Sequence, residues 1–272
     1  MSDEVVLYQT DGNIGIITLN RPSKLNAISE ELQQQLEAAF RRADDDPDTS
    51  VVVLRAEGRS FCVGYDIGAE AQGDSPHRHD ALRRHRELDQ CLTFEMMPWN
   101  MRKPVIASVQ GHALGGGCEL AMFCDLTIAA DDAKFGEPEI RFSVAGPAIV
   151  MPWLIGYKKA RELLYLGDMI DAPTALDLGM INRVVPAAEL KDATLKYARR
   201  LALISPEALA ATKLSINRGA DASGFRNAMQ AGLDVMAPLY AAKTELGSKF
   251  VEITKKDGLG AALKWRGAQF KE

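Results

Sequence analysis

His112-Ala113-Leu114-Gly115-Gly116-Gly117-Cys118-Glu119 stands at the centre of residues 103–139, the stretch that decides how this chain folds. Ahead of it, Pro104-Val-Ile-Ala-Ser-Val109 is a short apolar run that reads as a buried strand. A proline at the strand's opening removes no ladder donor further along. After the three glycines, Cys118-Glu119-Leu-Ala-Met-Phe-Cys124 has helix formers and no breaker. The order is strand, glycine turn, helix. Free backbone N–H groups point out of such a helix start, and its dipole favours negative charge. Glycine also lets a ligand come close to the backbone. Glu119 is the only charge between Lys103 and Asp125, and a carboxylate in so apolar a stretch is costly to bury unless paired or neutralised.

Two readings fit Glu119. In one it pairs with Arg102 or Lys103 and is structural; in the other it does acid or base work. Glycine-rich turns of this kind are common, and this one lacks both the Walker Lys-Ser/Thr and a G-x-G-x-x-G fingerprint, which argues against phosphate cradling. Twenty residues beyond Glu119 comes Phe135-Gly-Glu-Pro-Glu139, after the apolar run 126–130. Glu139 supplies a second carboxylate, and the two form a dyad if their side chains converge.

Ala113-Leu-Gly-Gly-Gly-Cys-Glu-Leu-Ala-Met122, Cys124-Asp125 and Phe135-Gly-Glu-Pro-Glu139 together resemble the enoyl-CoA hydratase/isomerase (crotonase) superfamily. Three more segments match it in order. Thr18-Leu-Asn-Arg-Pro-Ser-Lys-Leu-Asn-Ala27 resembles the family's first signature, and Ser60-Phe-Cys-Val-Gly-Tyr-Asp66 its first oxyanion loop. Residues 172–186, with Ala175-Leu-Asp-Leu-Gly-Met-Ile-Asn182, resemble the segment after the catalytic half. The resemblance covers essentially the whole chain. It implies an α/β fold, the crotonase spiral of repeated ββα units, with C-terminal helices and assembly as a homotrimer or as a hexamer built from two trimers.

The resemblance also implies a reaction. Attack at the β-carbon of an α,β-unsaturated acyl-CoA thioester pushes negative charge onto the carbonyl oxygen. Two preorganised donors stabilise it, and losing one typically costs about 2.7–4 kcal/mol. The implied donors are the backbone N–H groups of Val63 and Gly116. Glu119 and Glu139 match the family's paired glutamates, with Glu119 assigned to the water and Glu139 to the proton delivered to carbon. Lys24, Leu25 and Ala27 match the segment that meets the adenosine part of CoA; Lys264 is a weaker phosphate contact. Gly64, Tyr65 and Asp66 of the oxyanion loop, with Gly146, complete the implied substrate site. No metal and no cofactor beyond the CoA of the substrate is implied. Two departures stand out. The segment Val144-Ala-Gly-Pro-Ala-Ile-Val-Met-Pro152 keeps only Gly146 of a run that is glycine-rich in many hydratases, and Tyr65 replaces a small residue. The alternatives on the same fold are a double-bond isomerase, a hydrolase, a hydratase for bulky or aromatic acyl groups, and a non-catalytic RNA-binding member. The last is disfavoured by the two glutamates and the acidic chain.

Bulk properties fit one ordinary enzyme. The 272 residues can bury a large core. A net charge of −5 argues against nucleic acid. Cys62, Cys91, Cys118 and Cys124 make no C-x-x-C pair or zinc spacing, as in reduced thiols of a cytoplasmic protein. The acidic start Met-Ser-Asp-Glu has no apolar leader, and the uncharged run 142–157, broken by Pro147 and Pro152, is too short to span a bilayer, so no membrane association is expected.

Elsewhere, residues 5–8 and 14–19 flank Asp11-Gly12-Asn13 as a hairpin. Ser29 caps a helix with Leu32, Leu36, Ala39 and Phe40 on one face. Val51-Val-Val-Leu54 reads as a buried strand. His77, His79 and His85 lie among arginines on a solvated helix over roughly 78–92, a poor metal site. Phe94-Glu-Met-Met-Pro-Trp99 reads as pocket lining or core. Helices are expected over 158–166, 189–202, 206–217, 224–239 and 244–254. Leu209, Leu214, Phe225, Met229, Leu233 and Met236 are expected to be left for subunit contacts. The division is an α/β core with the active site over residues 1–200 and a helical region over 201–272 that serves assembly and part of the CoA site.

Overall fold

A computed structural model describes residues 4–67 and 79–270. The hairpin forms as expected: β1 (Val6–Asp11) and β2 (Ile14–Leu19) pair antiparallel with Val6 opposite Leu19. The other neighbours in this sheet run parallel, in the order β1-β2-β3-β4-β6-β9, with β3 Val51–Ala56, β4 Val105–Val109, β6 Leu126–Ala130 and β9 Arg183–Val185. Parallel strands covered on both faces carry continuous apolar runs rather than alternation, and β2 and β4 are buried at every residue. Helix α1 (Glu30–Asp45) covers one face with Leu32, Leu36, Ala39, Phe40 and Ala43, and Ser29 Oγ accepts from Leu32 N at 3.2 Å. On the other face Ile14, Ile16, Val53, Ile106 and Ile128 meet Leu190 and Ala198 of α7 (Leu190–Leu201).

A small sheet positions the site. It joins β5 (His112–Leu114), β7 (Lys134–Gly136) and β8 (Ile170–Asp171). The chain makes β4-β5-α4 and then β6-β7-α5, where α4 is Gly116–Phe123 and α5 Met151–Leu166. Each pass puts one strand in each sheet, which is a repeated ββα unit. In β5–β7 Leu114 lies opposite Gly136, so Gly115 and Glu137 leave the two strand ends side by side. An isolated bridge sets Cys62 beside Ala113, with Leu114 N donating to Cys62 O at 2.9 Å. Three chain segments therefore end at one place.

His79 and Asp80 lead into α2 (Ala81–Glu95), followed by α3 (Met97–Asn100) and later α6 (Ala172–Asp177). Helix α2 replaces the one expected over 78–92; His77 and Arg78 lie outside the described residues. His85 Nε2 is 2.9 Å from Asp234 Oδ1, and among the described residues no His/Cys/Asp/Glu group is arranged to hold a metal. Four helices end the chain: α8 (Pro206–Ala222), α9 (Phe225–Ala241), α10 (Glu245–Asp257) and α11 (Leu259–Gly267).

Three expectations change. Helix α5 starts at Met151, because Pro152 in a first turn forfeits no hydrogen bond, and a kink at Gly156 separates that turn from the rest. Helix α11 was not anticipated. Phe225, Met229 and Leu233 are buried within the chain: α9 folds back on α2, and Phe225 stacks on Trp99 with ring centroids 4.4 Å apart. Leu214 stays exposed, as do Leu203, Ile204, Ile216 and Val235. All four cysteines are free thiols, and no helix among the described residues is long and apolar enough to cross a membrane.

Candidate active site

The glycine turn is shaped by close packing. Gly115 has φ +53°, and a Cβ there would overlap Glu139 Oε1. Gly117 has Cys62 against it, where a Cβ would come 2.7 Å from the Cys62 Cβ. At Gly117 the Cys62 backbone leaves no room for a side chain, and at Gly115 any side chain must displace Glu139. Gly64, at φ +85°, faces Leu114 O in the same tight crossing. Val63 and Gly116 follow the last bonded residues of their segments, and neither N–H has a backbone acceptor among the described residues. Helix α4 starts at Gly116, so its dipole points at the same space.

Four carboxyls gather here. Glu119, on α4, is 1% exposed, and its Oε1 accepts from Ala148 N at 3.2 Å. The pairing with Arg102 or Lys103 does not occur. Arg102 binds Asp44 and Asp45, and Lys103 binds the carbonyls of Ala43 and Asp46. Glu139 lies just past β7, its Oε1 against Gly115 and its Oε2 buried without a partner among the described residues. Sequence reasoning missed the other two. Glu137 is 3% exposed with neither oxygen partnered among the described residues, and Glu95 is fully buried. One signal for Glu95 was present: it follows Leu88 and Leu92 at the spacing of the buried stripe of α2, where a carboxylate is out of place. Glu137 carries no such signal, since beside Pro138 it reads as an ordinary turn residue.

Burial dominates their electrostatics. It pushes Glu139 up to about 7 and Glu95 up to about 8. Glu119 and Glu137 are raised well above the usual carboxylate range, first by burial and then by the neighbouring carboxylates. The Ala148 N–H opposes the rise at Glu119, and the Tyr65 hydroxyl, donating to Glu95 Oε1 at 2.8 Å, opposes it at Glu95. Such a cluster offers a proton donor and a proton acceptor together near neutral pH.

The remaining expected residues surround this centre. Gly146 faces Glu119 and Glu137; a Cβ would overlap Glu119 Oε1 and lie 3.1 Å from Glu137 Oε2. Tyr65 packs on Gly116, where a Cβ would be 2.6 Å from its ring. Asp66 forms an ion pair with Arg21 at 3.0 Å, which ties the 60–66 loop to the turn holding Lys24, Leu25 and Ala27. Leu25 and Asn26 take left-handed backbone there, and buried Asn26 donates to Glu57 O and Ser60 O at 2.9 and 2.8 Å. Lys24 and Lys264 are exposed.

Residues 9–255 match the family model described as enoyl-CoA hydratase/isomerase. A probable enoyl-CoA hydratase of Rhizobium meliloti is 36% identical over 278 residues, covering 100% of this chain and 99% of that protein. A crotonyl-CoA hydratase of Syntrophomonas wolfei is 33% identical over 274 residues, covering 99% of each. The crystal structure of an enoyl-CoA hydratase/isomerase from Xanthobacter autotrophicus Py2 superposes with a TM-score of 0.94 at 34% identity, over 98% of this chain and 99% of that one. The likeness spans both sheets, the glycine turn and the helical tail, so this chain belongs to the enoyl-CoA hydratase/isomerase family and has the crotonase fold.

Proposed function

We propose that this chain is an enoyl-CoA hydratase, adding water across the 2,3 double bond of an acyl-CoA thioester. The observation that carries the reading is the meeting of the Val63 and Gly116 N–H groups, neither with a backbone acceptor among the described residues, with the carboxyls of Glu119 and Glu139. The N–H groups hold the thioester oxygen as it gains charge. Glu119, fixed by the Ala148 N–H, takes the proton of the attacking water. Glu139 delivers a proton to the α-carbon, and transfer of the proton gained by Glu119 back to Glu139, directly or through solvent, resets both groups before the next turnover. Lys24, Leu25 and Ala27 receive the adenosine part of CoA, with Lys264 near its phosphates. The exposed Leu203, Ile204, Leu214, Ile216 and Val235 serve a trimer or a pair of trimers, built around a core over residues 1–200 and a helical region over 201–272. Sedimentation as a monomer at micromolar concentration defeats that assembly.

The test is to mix the protein with crotonyl-CoA and follow loss of the conjugated thioester absorbance. Glu119→Gln and Glu139→Gln are each expected to lower kcat by roughly 10²–10⁴-fold with little change in thioester binding. An isomerase needs one proton-carrying group. Wild-type-like hydration in Glu119→Gln, or a preference for 3-enoyl substrates with only Glu139 essential, sinks the hydratase reading.

A further inference from the structure

Neither Glu95 nor Tyr65 has a part in the chemistry just described, yet both stand against it. The Tyr65 ring packs on Gly116, the residue whose N–H is assigned to the thioester oxygen, and Glu95 Oε1 lies 2.9 Å from where a Gly116 Cβ would be. Glu95 is fully buried, and the charges of Glu119 and Glu139 both act on it or receive its influence. The Tyr65 hydroxyl donates to Oε1, while Oε2 has no hydrogen-bond donor among the described residues, with the Glu119 carboxyl within hydrogen-bonding reach of Glu95. A buried carboxyl oxygen left without a partner costs free energy, and laying methylene groups of an alkyl chain against it would add to that cost.

We propose that Tyr65 and Glu95 form a polar recognition point in the acyl part of the pocket, selecting a substrate that carries a hydroxyl group close to the reacting carbons. This rests on the hydratase reading. A hydroxyl donates to a carboxylate and accepts from a carboxylic acid, so it matches Glu95 in either protonation state. Tyr65 holds the carboxyl in place by its one O–H and leaves Oε2 without a donor among the described residues. A site built to bond a hydroxyl discriminates strongly against the analogue lacking it, because its own polar group is then left unpaired.

The experiment compares hydration of 4-hydroxybut-2-enoyl-CoA with that of crotonyl-CoA, as the ratio of their kcat/KM values. The wild-type ratio is expected to be at least about 10. In Glu95→Leu it should fall to about 1, because the hydroxyl then has no partner. In Tyr65→Phe it should fall several-fold, and that variant decides the matter should Glu95→Leu not fold. A wild-type ratio of 1 or less overturns the proposal while leaving the hydratase reading intact. So does a high ratio that both folded variants retain. A protein that hydrates neither thioester overturns the hydratase reading, and this proposal with it.

Discussion

Gly115 and Gly146 are where single atoms decide the site. Each stands where a methyl group would overlap a carboxyl, Glu139 at the first and Glu119 at the second. Gly115→Ala also forces an L residue into φ +53°. It is expected to displace Glu139 and lower kcat by about 10²-fold or more, the worth of one acid–base group, with thioester affinity changed little. Full activity in that variant would mean that Glu139 is not where the proton is delivered. Gly116→Pro should remove about 3 kcal/mol of transition-state stabilisation by deleting one N–H. Glu137 acts at a distance, since its charge helps to raise Glu119. In Glu137→Gln the acid limb of kcat/KM against pH should therefore move to lower pH, as Glu119 ionises earlier. An unmoved or rising limb refutes that coupling.

At the scale of elements, the ends of three chain segments make the site, and the tail is locked to the core through one buried cation. Lys213 of α8 donates to Pro98 O and Asp125 Oδ2, both at 2.6 Å, and to Lys103 O at 3.0 Å, while Asp125 Oδ2 also takes the Val105 N–H at 2.7 Å. Lys213→Met would leave the Asp125 carboxylate, 23% exposed and still bonded to the Val105 N–H, without its cation, with an expected loss of roughly 1–3 kcal/mol in urea unfolding. Adding Asp125→Asn should recover part of it. A loss under about 1 kcal/mol would show the pair to be dispensable. None of this was legible in the sequence, because Lys213 and Asp125 are 88 residues apart and nothing in the Cys124-Asp125 segment names the carboxylate's partner. What was legible followed from local pattern: the apolar runs of β2, β3 and β4, the Ser29 cap, and the glycine turn before α4 all repeat a short-range rule. Glu119 and Glu139 were found because each lies in a recognisable segment. Glu95 was not, because its helix reads as an ordinary amphipathic one until the fold turns it inward beside Tyr65. The start of α5 was hidden for another reason: Pro147 and Pro152 read as breaks, although a proline suits a first turn.

For the whole molecule, gathering four carboxyls in one apolar chamber makes stability depend on pH in an unusual direction. Burial raises each above its ordinary value, Glu139 to about 7 and Glu95 to about 8, with Glu119 and Glu137 shifted the same way. Between the ordinary glutamate value and these raised ones, the folded chain holds protons that the unfolded chain has released. The unfolded state then binds fewer protons, so stability falls as pH rises. The favourable contribution is fully present at acid pH, below the unfolded value, and is lost as each group ionises in the fold. Each carboxyl adds up to about 1.4 kcal/mol per pH unit over its window. Asp46 and Asp171, lowered chiefly by hydrogen bonds from Asp48 and Thr174, act in the opposite sense, but only at more acid pH. The unfolding free energy from urea titrations is therefore expected to decline from about pH 5.5 to about pH 8. In Glu95→Gln, which keeps the shape of the side chain and cannot ionise, the decline should be shallower and the protein more stable than wild type at the alkaline end. A wild-type stability that is level or rising across that range would mean the chamber does not keep its carboxyls protonated, and the same titration on Glu95→Gln would then show no flattening.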